Sequence, residues 1–339
     1  MTLRVVVTGG TGFIGSKVLR ALREPGAELR ALARNPPPGP PGPPGPSRPP
    51  GPPAQPGPSG PSGAPRLSWL PADLSRPESL RGVCEGADVL LHLASRISGT
   101  EEECAAVNVD GTTALMDEAR RCGVERIVHL STAAVYGPGP HRGIGVDEKA
   151  PAPASPASRT RLLGERAALD AGATVLRPGL VTGTGDRWVV PALAALLEQL
   201  PGRWNGGGGL LSLVDADDLA RLIAALAVLP HRPPAGIFHA AHPRPVRNGD
   251  LMAALGELGV LPAPGADQSW ETCVETLRRS PRGVSERQFE LLAGEHWFRS
   301  DDIWPLADCP PGPGPLARLR AAAPWYRGHL AARRATADT

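Results

Sequence analysis

Leu3-Arg4-Val5-Val6-Val7-Thr8-Gly9-Gly10-Thr11-Gly12-Phe13-Ile14-Gly15 sets the architecture of this chain. A β-branched run stops at glycines, and apolar residues at helical spacing follow from Phe13 to Arg23, so the segment reads as strand, turn and helix. In that arrangement Gly9 permits a tight turn, Gly12 lets a backbone approach a pyrophosphate, and Gly15 allows the helix to pack closely on the strand. The helix N-terminus then faces the phosphates. A glycine pattern alone is weak evidence, but placed directly after a strand it predicts a dinucleotide site built from Gly9, Thr11, Gly12, Phe13, Ile14 and Gly15.

Working outward, Glu28 to Ala33, Asp88 to Ala94, Arg126 to Ser131 and Ala173 to Arg177 read as further strands. Val107 to Arg121 and Arg161 to Ala171 read as helices between them. Strands alternating with helices predict an α/β fold with a doubly wound parallel sheet. After Pro178 the pattern loosens through Trp188, Trp204 and Gly206 to Gly209, and returns to a helix at Asp217 to Val228. Helical stretches at Leu251 to Gly259 and Glu286 to Ala293 predict a smaller, mostly helical C-terminal substrate-binding region. The expected division is a dinucleotide-binding domain over 1–178, rejoined by 213–239, and a substrate-binding region from 179–212 and 240–339. Residues 35–65 are almost all Pro, Gly and Ser, which predicts a disordered or polyproline insertion rather than a domain.

Composition narrows the function classes. The 339 residues carry a net charge of +2 with both signs interspersed, which argues against a nucleic-acid stripe or a membrane-binding face. Five scattered cysteines form no Cys-x-x-Cys pair or Cys/His cluster, so no metal site is expected and a reducing compartment fits. The chain begins in a strand-like run, with no charged segment leading into an apolar one and no apolar stretch long enough to span a membrane, so a cytoplasmic location is expected.

At the end of the second strand, Ala33 stands where an acidic residue would bond the adenosine ribose of NAD, and Arg34 follows. A guanidinium there suits the 2′-phosphate of NADP, so NADP(H) is preferred over NAD(H).

Further motifs follow in order: Asp73-Leu74, His92-Leu93-Ala94-Ser95, Asn108-Val109-Asp110-Gly111-Thr112, Leu130-Ser131-Thr132-Ala133-Ala134-Val135-Tyr136-Gly137, Arg177-Pro178-Gly179 and Val214 to Ala220. With the glycine-rich opening, these resemble the extended short-chain dehydrogenase/reductases, the NAD-dependent epimerase/dehydratase group, from residue 2 to about residue 240. The resemblance implies that Asp73 and Leu74 meet the adenine, that Leu93, Ala94 and Ser95 line the pyrophosphate and nicotinamide ribose, and that Pro178 and Gly179 flank the nicotinamide. It gives Asn108 a structural or water-relay role, and Asp217 with Asp218 the cap of a helix. It also implies a homodimer through helices near Asn108 to Arg121 and Arg161 to Ala171.

The family's chemistry uses a Ser or Thr to polarise a carbonyl and a Tyr-x-x-x-Lys pair to supply the proton. By the resemblance Thr132 fills the first role, with Ser95 as a second positioning group. Ala157 and Arg161 occupy the Tyr and Lys positions. Arg161 keeps a positive charge for the nicotinamide ribose but relays no proton. Loss of a general acid is worth about 10²–10⁴ in rate. The chain has two tyrosines, Tyr136 and Tyr326, so Tyr136 is the candidate stand-in donor. His92 reads as a hydrogen-bonded core residue and Glu148 as structural, while His141 is a candidate to reach substrate. Trp188, Trp204, Trp270 and Trp297 are open to reading as an apolar wall or as ordinary core.

Three readings remain at this level. One is an oxidoreductase that reduces a bulky, aromatic polyketide-like ketone, with the proton coming from water or from a phenol of the substrate itself. This resembles the atypical angucyclinone-type ketoreductases of antibiotic biosynthesis. The second is a sugar-nucleotide epimerase or dehydratase, disfavoured by the missing tyrosine base. The third is an inactive NADP-binding sensor or interaction module.

Overall fold

The computed structural model describes residues 2–23, 26–37, 67–279 and 284–337. The Pro/Gly-rich insertion expected over 35–65 lies, from residue 38 onward, outside the described residues.

Seven strands form one parallel sheet: β1 (Arg4–Thr8), β2 (Glu28–Ala33), β3 (Leu67–Pro71), β4 (Val89–His92), β5 (Arg126–Leu130), β6 (Thr174–Arg177) and β7 (Gly236–His239). Their spatial order is β7-β6-β5-β4-β1-β2-β3. The chain therefore reverses direction across the sheet between β1 and β4, where Val7 pairs with Leu91 and Thr8 with His92. Such a switch point leaves a crevice beyond the strand C-termini, the usual ligand position in these sheets.

The period-two alternation of the strands explains why both faces are covered. Val5 and Val7 of β1 and Leu91 of β4 point to one face. There they meet α1 (Phe13–Ala21) and α6 (Ala216–Val228) through Val18, Leu22, Leu219 and Ile223. Val6, Leu90 and Ile127 point to the other. They pack against Leu115 and Met116 of α3 (Thr112–Arg121) and Ala168 of α4 (Pro156–Asp170). Helix α3 continues α2 (Glu101–Ala105) through a π-helical segment, Ala106–Gly111, so the helix expected from Val107 starts earlier. The sequence reading missed the capping box at its start, where Thr100 accepts from the Glu103 N–H and the Glu103 carboxylate accepts from the Thr100 N–H.

A second core lies toward the C-terminus. It joins α5 (Val189–Gln199), α7 (Asn248–Glu257), α8 (Trp270–Arg279), α9 (Glu286–Ala293) and α11 (Pro315–Ala337) around Trp204, Phe289 and Tyr326. Between the two cores runs a four-stranded sheet of short strands, Val246–Arg247, Leu210–Leu211, His296–Phe298 and His141–Ile144, which the sequence reading did not anticipate. The cap of α6 is corrected as well. Asp215, rather than Asp217 or Asp218, accepts from the Asp217 N–H, while Asp217 pairs with Lys17 of α1 and Asp218 with Arg221 and Arg318.

Candidate active site

The glycine turn after β1 is fixed by backbone contact with β4. Gly9 adopts φ +71°, and a Cβ there would lie 2.8 Å from the Ala94 nitrogen. A Cβ on Gly15 would run into the Gly9 carbonyl, so α1 can approach the turn only without one. Thr8 ties the same corner together. Its Oγ1 accepts from the N–H groups of Leu93 (3.0 Å) and Ala94 (3.1 Å), so its own proton goes to His92 Nδ1 at 2.8 Å. His92 Nε2–H then donates to Thr112 Oγ1 at 3.0 Å. Burial, with the charge of Arg161 adding to it, pushes His92 down to about 4, leaving a neutral core imidazole.

Helix α1 begins at Gly12, which offers no side-chain cap, so its N-terminal dipole is available to a ligand anion. Thr11 is exposed beside it, Ile14 is half-buried, and the ring of Phe13 rests on Gly185, where a Cβ would come within 2.9 Å. At the far end of the crevice Arg34 is exposed and makes no hydrogen bond or ion pair with the described residues, and Asp73 and Leu74 sit half-buried beyond β3. Burial raises the Asp73 carboxyl, but bonds from Ser75 and the charges of Arg34 and Arg76 outweigh it and hold the group low.

The loop after β4 carries Leu93, Ala94 and a half-buried Ser95, and is clamped one residue later. Asn108 accepts from the Arg96 N–H at 2.8 Å, donates to the Arg96 carbonyl at 2.8 Å and to Thr160 Oγ1 at 3.0 Å. A Cβ on Gly164 would strike the Asn108 carbonyl, so α4 lies directly on the π-helical segment. Asn108 thus joins the cofactor loop to the helix that carries Ala157 and Arg161. Arg161 donates from Nη2 to the Leu130 carbonyl at 3.2 Å, while its buried Nε–H has no partner. Desolvation pushes this guanidinium down to about 10, so it stays charged at neutral pH. An unpartnered donor beside β5, a glycine turn and a helix N-terminus without a cap are what a bound dinucleotide would satisfy.

Thr132 lies two residues beyond β5 and does two things. Its Oγ1 accepts from the Ala134 N–H at 3.2 Å, starting the short turn Ala133–Tyr136, and the residue lines a cavity of about 110 Å³. Pro178 and Gly179 line the same cavity, with Leu180, Leu291, His296 and Phe298 facing them.

Tyr136 is not among the lining residues. Its ring is fully buried on Phe298, and its hydroxyl accepts from Arg177 Nη1 at 2.8 Å. His239 Nδ1–H donates to the Arg299 carbonyl, so its Nε2 takes the Tyr136 proton at 2.9 Å. Burial raises the phenol above its ordinary value. Behind it, Arg177 grips Glu165 through two bonds of 3.0 and 2.6 Å, both side chains nearly inaccessible, and Ser131 donates to the same carboxylate. The stand-in donor read from the sequence is therefore part of a buried polar network.

Other expectations resolve in the same way. His141 does not reach the cavity: it is fully buried, bonded to the Gly137 carbonyl and to Lys149. Glu148 pairs with Arg299. Trp204 and Trp270 pack on Phe289, Trp188 is exposed, and none of the four tryptophans lines the cavity. Its apolar wall comes instead from Phe298, Leu180 and Leu291. The sequence reading missed His296 and Phe298, whose only signal was one alternation, His296-Trp297-Phe298, in a three-residue strand. It also missed the Glu165–Arg177 pair.

Residues 5–240 match the model of the NAD dependent epimerase/dehydratase family. The chain belongs to that family. Among its relatives, 4-hydroxy-2-methyl-3-oxo-4-farnesyl-3,4-dihydroquinoline-1-oxide ketoreductase of Stigmatella aurantiaca is 29% identical over 321 residues, 88% of this chain and 89% of that protein. A 2-alkyl-3-oxoalkanoate reductase of Stenotrophomonas maltophilia (strain K279a) is 28% identical over 273 residues, 75% and 76% of the two chains. In fold, this family member resembles UDP-glucuronic acid 4-epimerase from Bacillus cereus in complex with NAD. The TM-score is 0.70 at 17% identity, covering 96% of this chain and 99% of the other. MoeE5 in complex with UDP-glucose and NAD gives a TM-score of 0.69 at 22% identity, covering 96% and 99%. The chain is an NAD(P)-dependent oxidoreductase-type enzyme of the extended short-chain fold. Among the described residues no helix is long and apolar enough to cross a membrane, and no cluster of side chains fits a metal ion.

Proposed function

We propose that this enzyme is an NADPH-dependent ketoreductase for a bulky, largely apolar ketone, of the aromatic polyketide kind, and that it works without a catalytic tyrosine. The observation that carries the reading is the pairing of a dinucleotide cradle with a cavity lined by Thr132, Pro178, Gly179 and the apolar Leu180, Leu291 and Phe298, with Arg287, Glu290 and His296 at its polar side, while Ala157 stands at the tyrosine position and Tyr136 is locked in the core. Epimerisation and dehydration begin by oxidising an alcohol, which requires a base to take its proton. Reduction needs no such base: the oxygen must be polarised, and the proton it takes up comes from water or from an acidic hydroxyl of the substrate. When bound, the dinucleotide supplies a hydride to the carbonyl carbon and is itself oxidised.

In this reading Gly9, Thr11, Gly12, Phe13, Ile14 and Gly15 receive the pyrophosphate, with Leu93, Ala94 and Ser95 along its path. Asp73 and Leu74 hold the adenine, and Arg161, Pro178 and Gly179 the nicotinamide end. Arg34, exposed and unpaired among the described residues, takes the 2′-phosphate and so favours NADP(H) over NAD(H). Thr132 donates to the ketone oxygen and Ser95 helps to orient the substrate, while segments 179–212 and 240–339 shape its pocket. A homodimer through α3 and α4, with the half-exposed Leu163 on its surface, and a cytoplasmic location belong to the same reading.

The names of the two relatives, a ketoreductase and an oxoalkanoate reductase, support the direction of reaction. The test is NADPH consumption with a panel of aryl and long-chain ketones, with the alcohol identified by mass spectrometry. Reduction of a ketone is the expected result. Interconversion of UDP-glucose and UDP-galactose would instead make the chain an epimerase, and NADPH binding without turnover of any of them would make it a binding module.

A further inference from the structure

One wall of the cavity carries an imidazole that the protein itself does not use. His296 opens the strand His296–Phe298, which is hydrogen-bonded on both sides, to Leu210–Leu211 and to His141–Ile144. Its own carbonyl accepts from the Ser212 N–H at 2.9 Å. Alternation along that strand sends His296 and Phe298 to the cavity, while Trp297 turns away onto Gly143. The residue is only 8% exposed, yet its ring makes no hydrogen bond among the described residues: its contact is edge-on with His141, at 4.9 Å and 89°. His141 in turn is held by the Gly137 carbonyl and Lys149.

Gly139 packs against the Nε2 edge of the ring, where a Cβ would lie 2.6 Å from Nε2. An imidazole in a cavity wall that the described residues do not hydrogen-bond keeps its donor and acceptor for what enters the cavity. Burial, with His141 and Lys149 adding to it, pushes His296 down to about 4, so at neutral pH the ring is uncharged and carries one N–H. A neutral imidazole N–H can polarise a carbonyl, here in a cavity whose charged lining residues are Arg287 and Glu290.

Resting on the ketoreductase reading, we infer that His296 donates a hydrogen bond to the oxygen of the bound ketone. It thereby supplements Thr132 from the C-terminal side and takes over the oxygen-holding part of the absent phenol's work. No bond is made or broken at His296; the proton that completes the alcohol comes from water.

The test uses the full chain, α-tetralone as an uncharged aryl ketone, and the variants His296→Phe, which removes the donor, and His296→Gln, which restores an N–H. Turnover of α-tetralone should fall about 100-fold in His296→Phe and recover to within about tenfold of wild type in His296→Gln, with NADPH affinity unchanged in both. Independently of turnover, the imidazole nitrogen resonances of His296 in the NADP⁺ complex should shift when α-tetralone is added. Wild-type turnover in a folded, NADPH-binding His296→Phe variant would overturn the inference. So would resonances of Ala133 and Gly179 that move with α-tetralone while those of His296 stay still. Failure of the ketoreductase reading looks different: wild type binds NADPH but reduces nothing, and the resonance shift alone then decides whether His296 meets a ligand.

Discussion

In the proposed reading Arg34 is the single charge that chooses between two cofactors. It is exposed just beyond β2 and forms no hydrogen bond or ion pair with the described residues, its charge acting on Asp73. Charge-assisted hydrogen bonds are worth about 1.5–3 kcal/mol, so Arg34→Ala should weaken NADPH binding by about tenfold to a hundredfold and leave NADH binding unchanged. Fluorescence titration with both cofactors checks this, and equal losses for the two would remove Arg34 from the 2′-phosphate. Thr132→Ala should lower ketone turnover by about 10²–10³, as for loss of one donor at a developing oxyanion, with NADPH affinity intact.

Residues at this scale were legible where a position in a motif dictates contact with backbone or phosphate, as at Gly9, Gly12 and Gly15. They were not legible where the partner is remote in the chain. Nothing local joins Tyr136 to Arg177, His239 and Glu165, and nothing local brings His296 to Thr132's cavity.

The elements reveal the same boundary. Helix α4 starts at Pro156, five residues before the start read at Arg161, and the signal passed over was Ser155 as cap, Pro156 in its first turn and Ser158 returning the bond. Five of the seven sheet strands were read as apolar runs, whereas the two at the sheet edges, β3 and β7, are only partly buried and were not. The four-stranded layer that carries His296 is made of strands two to four residues long, too short to show a period. Helix α11 contains Pro324 and little amphipathic contrast, so the sequence reading passed over it.

The contact of α1 with the turn is testable as an element. Gly15→Ala places a methyl group against the Gly9 carbonyl, and overpacking of this kind costs about 1–3 kcal/mol. Denaturant unfolding should show that loss together with weakened NADPH binding. A variant as stable and as tight as wild type would mean the turn has room to move.

For the molecule as a whole, five buried imidazoles set a pH dependence, with His129 and His141 also lowered foremost by burial. His92, His239 and His296 are each pushed down to about 4, foremost by burial. In the unfolded chain a histidine titrates near 6.5, so below that value the unfolded state binds protons that the fold refuses. Stability contributed by these groups is complete above about pH 6.5 and declines as pH falls toward 4, by roughly 1.4 kcal/mol per unit for each imidazole. Unfolding free energies measured at steps between those limits should fall steadily, whereas a flat profile would mean that the rings protonate within the fold.

The Glu165–Arg177 pair adds a second handle. Arg177→Met leaves a carboxylate buried without its partner and should cost about 3–5 kcal/mol. Trimming the Pro/Gly-rich connection between β2 and β3 to about a dozen residues, enough for a parallel crossover, should change stability by less than about 1 kcal/mol and leave activity in place.

The most direct measurement is the NADPH-dependent turnover of a reducible ketone by Tyr136→Phe, expressed per folded, cofactor-binding molecule. With no phenol in the chemistry, turnover should stay within about threefold of wild type even if the variant is less stable, because general-acid assistance worth 10²–10⁴ was never supplied by that ring. A loss of about 100-fold or more, with fold and NADPH affinity retained, would make Tyr136 the proton donor and contradict a tyrosine-free reduction.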